Sequence, residues 1–249
     1  MGKNTILVVM PVYNSEDTLE QAISSILNQK HRDILLVIVD DASTDRSLDI
    51  ARSFLSDDRV RIYQNKINMG AYYSRNFGLW VSSSMGWRFF TTHDSDDVSF
   101  ENRYKSLLGR FTRNPNVNGM QDTFDRIDMA TGKTLKSKLT MAHAIFRREV
   151  FDELGYFDNV RFGGDWEHWH RLTRYNHFND NKTRTLSVKD ILGESYIHDS
   201  NLTVQIPEDS PRRLKYVERA KKKIERLATM RRWHYDFEPE RGLTKQVNK

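Results

Sequence analysis

The chain's 249 residues suffice for one large α/β domain or two small ones, and 38% hydrophobic with 11% aromatic residues is enough bulky apolar material to exclude wholesale disorder. No stretch approaches the roughly 18 uninterrupted apolar residues of a membrane helix, and zero cysteines exclude disulfides, thiolate metal sites and a cysteine nucleophile. The formal charge of +5 is local: ten Lys and Arg against two Glu between residues 212 and 232 carry +8, which leaves −3 for the remainder.

A continuous apolar run at residues 5–10 (T-I-L-V-V-M) predicts a strand buried on both faces. It is too short for a signal-peptide core and runs into Tyr13-Asn14-Ser15-Glu16-Asp17, so a cytoplasmic protein is expected. Leu19, Ala22, Ile23, Ile26 and Leu27 then recur at helical spacing behind a cap at Asn14 or Ser15. Residues 34–39 (I-L-L-V-I-V) repeat the buried-strand pattern and stop at Asp40-Asp41. A helix through Leu48, Ala51 and Leu55 follows, then a strand at 60–63 and a helix at 71–79. A further strand at 88–92 ends in His93-Asp94-Ser95-Asp96-Asp97. Strands separated by helices of this length imply a mostly parallel α/β sheet flanked by helices. Beyond Asn114-Pro115 the alternation fades. Residues 120–128 and 139–146 are candidate strands, 148–154 a short helix, 166–175 a longer one, and 188–198 are mixed. Leu214, Val217, Ile224, Leu227 and Ala228 mark a basic amphipathic helix, which Pro239 and Gly242 end before a polar tail.

Ligands of a parallel sheet collect at the carboxyl ends of its strands. Pro11-Val12-Tyr13-Asn14, Asp40-Asp41-Ala42-Ser43 and Asp94-Ser95-Asp96-Asp97 all fall at such ends. Acidic side chains gathered at one edge repel each other and raise one another's pKa values. A hard divalent cation bound by oxygen ligands and bridging to a diphosphate resolves that repulsion. Helix capping is the plainer role for any one of these acids, but it does not explain two clusters at two strand ends.

In this order, I-L-V-V-M-P-V-Y-N-S-E-D-T-L, I-V-D-D-A-S-T-D, N-M-G-A-Y-Y-S-R-N-F-G-L and H-D-S-D-D resemble the nucleotide-sugar domain of glycosyltransferase family two. The resemblance implies the GT-A fold, a Rossmann-like sheet flanked by helices. It also implies a UDP-sugar donor, a Mn2+ or Mg2+ cofactor, and inverting transfer to an acceptor hydroxyl. Carried over position by position, Pro11, Val12 and Tyr13 would line the nucleotide pocket. One of Asp40 and Asp41 would accept from the uracil N–H or the ribose. Asn68 and Gly70 would shape a turn, and Arg75 and Asn76 would close over base and ribose. Asp94 and Asp96 match the D-x-D, with Asp96 on the metal and Asp94 at the ribose or on metal-bound water; Asp97 would orient its neighbours.

The second half resembles the family's acceptor side through Arg147-Arg148-Glu149-Val150-Phe151 and then Gly163-Gly164-Asp165-Trp166-Glu167-His168-Trp169-His170-Arg171-Leu172. Asp165 stands at the general base, taking a proton from the acceptor hydroxyl as it attacks the anomeric carbon. Gly164 stands where the family commonly has Glu. Trp166 is the candidate for acceptor stacking, and His198 for completing the metal shell. His93, His143, His168 and His170 are expected to be packing residues.

The expected organisation is a glycosyltransferase domain at 1–205, with a nucleotide-sugar half at 1–115 and an acceptor half at 116–205, followed by a basic helical tail at 206–249. The tail suits a solvated face, an anionic membrane surface or a nucleic acid. A polyanionic acceptor such as a modified DNA base, and a catalytically dead nucleotide-sugar-binding protein, are the competing readings.

Overall fold

The structure, a computed structural model, describes residues 5–179, 182–198, 210–231 and 233–248. Strands β1 (Ile6–Val12), β2 (Ile34–Asp40), β3 (Val60–Asn65) and β4 (Phe89–Thr92) alternate with helices α1 (Leu19–Leu27), α2 (Ser47–Ser53) and α3 (Ala71–Val81). The strands pair in parallel in the order β4-β1-β2-β3. Successive side chains of a strand point to opposite faces, and β1 serves two apolar layers. Ile6, Val8 and Met10 pack with Leu19, Ile23 and Ile26 of α1, while Leu7 and Val9 pack with Tyr73 and Phe77 of α3. A strand covered on both sides has no solvent face for polar residues, hence the unbroken apolar run. Gly78 fixes the approach of α3: a Cβ there would lie 2.5 Å from Val9 Cγ1. The helix thus settles directly on β1, with Arg75 one turn nearer the carboxyl ends of the strands.

The second half departs from simple alternation. It contains β5 (Asp97–Ser99), α4 (Arg103–Arg113), β6 (Val117–Asp128), β7 (Thr134–Arg147), α5 (Glu149–Leu154), α6 (Gly164–Phe178) and β8 (Arg184–Ile197). The described residues form one sheet in the order β5-β8-β6-β7-β4-β1-β2-β3, with a ninth strand, β9 (Thr244–Val247), beyond β3. β7 runs antiparallel to both β4 and β6, whereas β6 and β8 are parallel. The parallel character expected from the sequence therefore belongs to the N-terminal strands, and the sheet beyond β4 is mixed. Helix α4 has no counterpart in the sequence reading. It buries Tyr104, Leu107 and Phe111, but also Arg103, so its inner face is not purely apolar.

The basic segment forms α7 (Pro211–Met230), whose N-cap Ser210 accepts from the Arg213 N–H at 3.4 Å, with Pro211 at the first helical position. Ala220, Ile224 and Ala228 are buried and Val217 and Leu227 partly so, while Leu214 is exposed. The apolar stripe thus packs on the domain, and α7 lies against α6. Part of what the sequence reading leaves as a polar tail is β9, paired antiparallel with β3. Among the described residues, no helix is long and apolar enough to cross a membrane.

Candidate active site

The loops after β1, β2 and β4 converge on a cavity of about 1190 Å³. Its lining holds Pro11, Val12, Tyr13, Asp41, Asn68, Gly70 and Arg75, and at its floor Asp94, Asp96 and Asp97. Asp165, Trp166 and His198 close the opposite side, joined by Arg213 and Tyr216 from α7. Residues from both halves of the chain and from the C-terminal helix therefore share one space.

Two of the expected nucleotide-binding residues do not line it. Asp40 is fully buried, accepts from the Ser43 N–H at 3.3 Å and from Gln64 Nε2 at 3.4 Å, and leaves Oδ1 without a partner. Burial raises its pKa. Asn76 is buried in a reciprocal pair: its Nδ2 donates to the Phe157 carbonyl and its Oδ1 accepts from the Phe157 N–H, both at 3.0 Å. It ties α3 to the segment that leads to Asp165.

Asp41 does line the cavity, yet its carboxylate is already engaged. Oδ1 accepts from Asn65 Nδ2 at 2.7 Å and the Met69 N–H at 2.8 Å, and Oδ2 from the Gly70 N–H at 2.7 Å. Gly70 has φ +93°, a conformation that glycine adopts without strain. Asp41 thus builds the turn that carries Asn68. Arg161, also in the cavity lining, donates to Asn68 Oδ1 at 2.6 Å.

At the floor, Arg75 donates to Asp94 Oδ1 at 2.5 Å. Burial disfavours the charge on Asp94, but Arg75, and after it His143, hold its carboxyl below the ordinary range. Asp96 Oδ2 and His198 Nε2 lie 3.0 Å apart, with side chains 21% and 27% exposed. A carboxylate and an imidazole from distant segments, meeting at the cavity surface, suit a borderline divalent cation such as Mn2+. Beneath them, His143 Nε2 is 2.5 Å from Asp97 Oδ2, both side chains buried. Asp94, Asp97 and His143 each offer a ligand atom, all within 4.8 Å of one another, so this trio is a second set able to hold a metal. Burial first, then the charge of Asp96, push Asp97 up to about 6. Burial opposes the imidazolium of His143, but its bond to Asp97 and that carboxylate's charge raise its pKa. The sequence reading took His143 as packing and gave Asp97 only an orienting role. The β4–β7 pairing sets His143 beside Thr92 at the end of β4, and the turn that follows brings Asp97 onto it, a meeting that no local motif announces.

Asp165 opens α6, and Tyr72 OH donates to its Oδ1. Trp166 stacks on His170, ring centroids 3.8 Å apart. His168 is fully buried against Phe151 and Phe157, the packing role expected of it.

The family model Glycosyl transferase family 2 matches residues 7–192. WfgD of Escherichia coli, a UDP-Glc:alpha-D-GlcNAc-diphosphoundecaprenol beta-1,3-glucosyltransferase, is 31% identical over 128 residues, 51% of this chain and 49% of that protein. The chain spans about half the length, or less, of the curated relatives it matches. Among solved structures, S. aureus TarS 1-349 in complex with UDP-GlcNAc matches with a TM-score of 0.67 at 17% identity, covering 87% of this chain and 66% of that one. The mannosyltransferase PcManGT from Pyrobaculum calidifontis, in complex with GDP-Man and Mn2+, matches at 0.62 and 14% identity over 91% and 71%. At such identity the likeness to the two structures is one of fold.

Proposed function

The chain belongs to glycosyl transferase family 2, and from that membership we propose that it moves a sugar from a UDP-linked donor to an acceptor hydroxyl with inversion at the anomeric carbon. One observation carries the reading: the Asp96–His198 pair, 3.0 Å apart, and Asp165 line a single cavity with Arg75 and Asp94. The UDP assignment is supported by WfgD, whose name gives UDP-Glc as donor.

In this reading Asp96 and His198, with Asp94 beside them, would hold Mn2+ or Mg2+, and the ion would supply positive charge for a diphosphate leaving group. Pro11, Val12 and Tyr13 receive the base, and Asp41 keeps the turn of Asn68 and Gly70 in place against it. Arg75, itself fixed by Asp94, stands at the ribose side. Asp165 removes the proton from the attacking hydroxyl, and Trp166 gives the acceptor an aromatic face. Residues 1–205 form the transferase proper in this reading. The segment 206–249 serves it twice, since α7 lends Arg213 and Tyr216 to the cavity and turns Arg212, Lys215, Arg219 and Lys222 outward. That outward charge supports an acceptor held at an anionic cytoplasmic membrane surface.

The test is transfer itself. With Mn2+ and UDP-sugars, the wild type is expected to release UDP. Asp165→Asn should still bind UDP and lose turnover by orders of magnitude. Retained turnover in that variant removes the base assignment.

A further inference from the structure

We propose that Tyr72 is a positioning residue for Asp165: its hydroxyl holds Oδ1 so that the other oxygen meets the acceptor, and its ring occupies the space of a side chain at position 164. The inference rests on Asp165 being the base.

Tyr72 and Asp165 are 93 residues apart and meet through the Tyr72 hydroxyl, which donates to Asp165 Oδ1. Among the described residues no other side chain donates to this carboxylate, so Oδ2 keeps its full capacity to accept a proton. The ring cannot swing freely. The Arg75 guanidinium sits 4.8 Å from its centroid, Phe157 packs at 6.2 Å, and the side chain is buried. Burial and then the charge of Asp165 raise the phenol's pKa, so Tyr72 remains a donor at any working pH.

Position 164 explains why a tyrosine fits. A Cβ on Gly164 would stand 2.7 Å from Tyr72 Cδ1, 2.8 Å from Cε1 and 3.0 Å from the Asp158 carbonyl oxygen. Ring and backbone close on the glycine from two sides. With glycine at 164, the phenol ring from α3 takes the space a side chain there would need. Gly164 is thus half of a matched pair with Tyr72. The pair fixes the carboxylate from the donor half, so the base is aligned by the same helix that carries Arg75.

Tyr72→Phe deletes the hydroxyl and keeps the ring. In the full chain, with Mn2+, water as acceptor and UDP-glucose or UDP-N-acetylglucosamine as donor, UDP release at saturation should fall about ten- to hundredfold, the loss of one hydrogen bond to a charged group. The donor KM should hold its wild-type value. Wild-type turnover, or turnover and KM changing together, overturns the positioning role. If Asp165→Asn stays active, the base reading fails first; if it is dead while Tyr72→Phe is unimpaired, only the present proposal fails. The size match has a readout independent of catalysis. Gly164→Ala should lower the urea midpoint of the wild type by more than it lowers that of a Tyr72→Ala background, where only the Asp158 carbonyl contact remains. Equal losses in both backgrounds overturn the pairing, including in a protein that releases no UDP.

Discussion

Asp96 and His198 are 102 positions apart in sequence and 3.0 Å apart in space, the first just before β5 and the second just after β8, meeting at the cavity surface. Replacing Asp96 with Ala removes the carboxylate that faces the cavity, and Mn2+-dependent UDP binding should weaken at least tenfold, about 1.4 kcal/mol, in a calorimetric titration. Unchanged binding would count against Asp96 as a ligand and favour the buried trio of Asp94, Asp97 and His143. Asn76 makes the opposite case. Its motif partner Arg75 lines the cavity, whereas Asn76 spends both polar atoms on the Phe157 backbone. Asn76→Ala should therefore cost about 1–3 kcal/mol in urea unfolding, because it strands a buried N–H and carbonyl, while UDP affinity stays put. Weakened UDP binding with unaltered stability would restore a direct nucleotide role.

Between elements, the contact that decides the floor of the site is β4 against β7. It brings His143 to Asp97, and α4 supports the pair from behind: Arg103 forms a buried ion pair with Asp122 at 2.7 Å and donates to the His143 carbonyl at 2.6 Å. Both members of the Asp97–His143 pair hold their proton more tightly in the folded chain than in the unfolded one. Asp97 is raised to about 6, and His143, despite its burial, is raised from its ordinary value by its bond to Asp97. With more protons bound in the native state, this pair's contribution to stability declines as pH rises, through about 6 for the carboxyl and above the usual imidazole value for His143. Asp97→Asn removes that slope. In metal-free buffer the variant should gain on wild type steadily as pH rises from about 4 to 8, followed as the difference in urea midpoints. A constant difference would show that the pair does not share its proton in this way. The sequence contained the D-S-D-D run but nothing linking it to His143, because the pairing of β7 with β4 is chosen by the sheet and not by neighbours in the chain.

Over the whole molecule, α7 joins the tail to the second half of the chain through its contact with α6. Its inner stripe packs on the domain and adds Arg213 and Tyr216 to the cavity, and β9 then closes the far edge of the sheet against β3. Truncation of the tail would strip a cavity wall together with an edge strand, so its surface charge is better probed by substitution. Reversing Arg212, Lys215, Arg219 and Lys222 to Glu leaves the inner stripe intact. With each basic residue worth about 1 kcal/mol near an anionic bilayer, sedimentation with phosphatidylserine vesicles at low salt should drop by roughly a thousandfold in partition. UDP release in solution should be unaffected. Undiminished vesicle binding, or binding of duplex DNA in preference to vesicles, would turn the membrane reading aside.

The sequence by itself determined the parallel N-terminal strands, the identity of the carboxylates at their ends and the family those motifs resemble. Buried strands, amphipathic helices and strand-end loops are written in local periodicity, which a single chain displays directly. It also singled out Asp165, Asp96 and His198 before any geometry was known. Only the tertiary structure decided that Asp40 and Asn76 face inward, that His143 joins the acidic floor, that β9 completes the sheet and that Tyr72 holds Asp165. Each of these depends on which segment packs against which. Burial and hydrogen bonding between residues tens of positions apart are settled by the packing of the whole fold, and leave no period in the sequence to read.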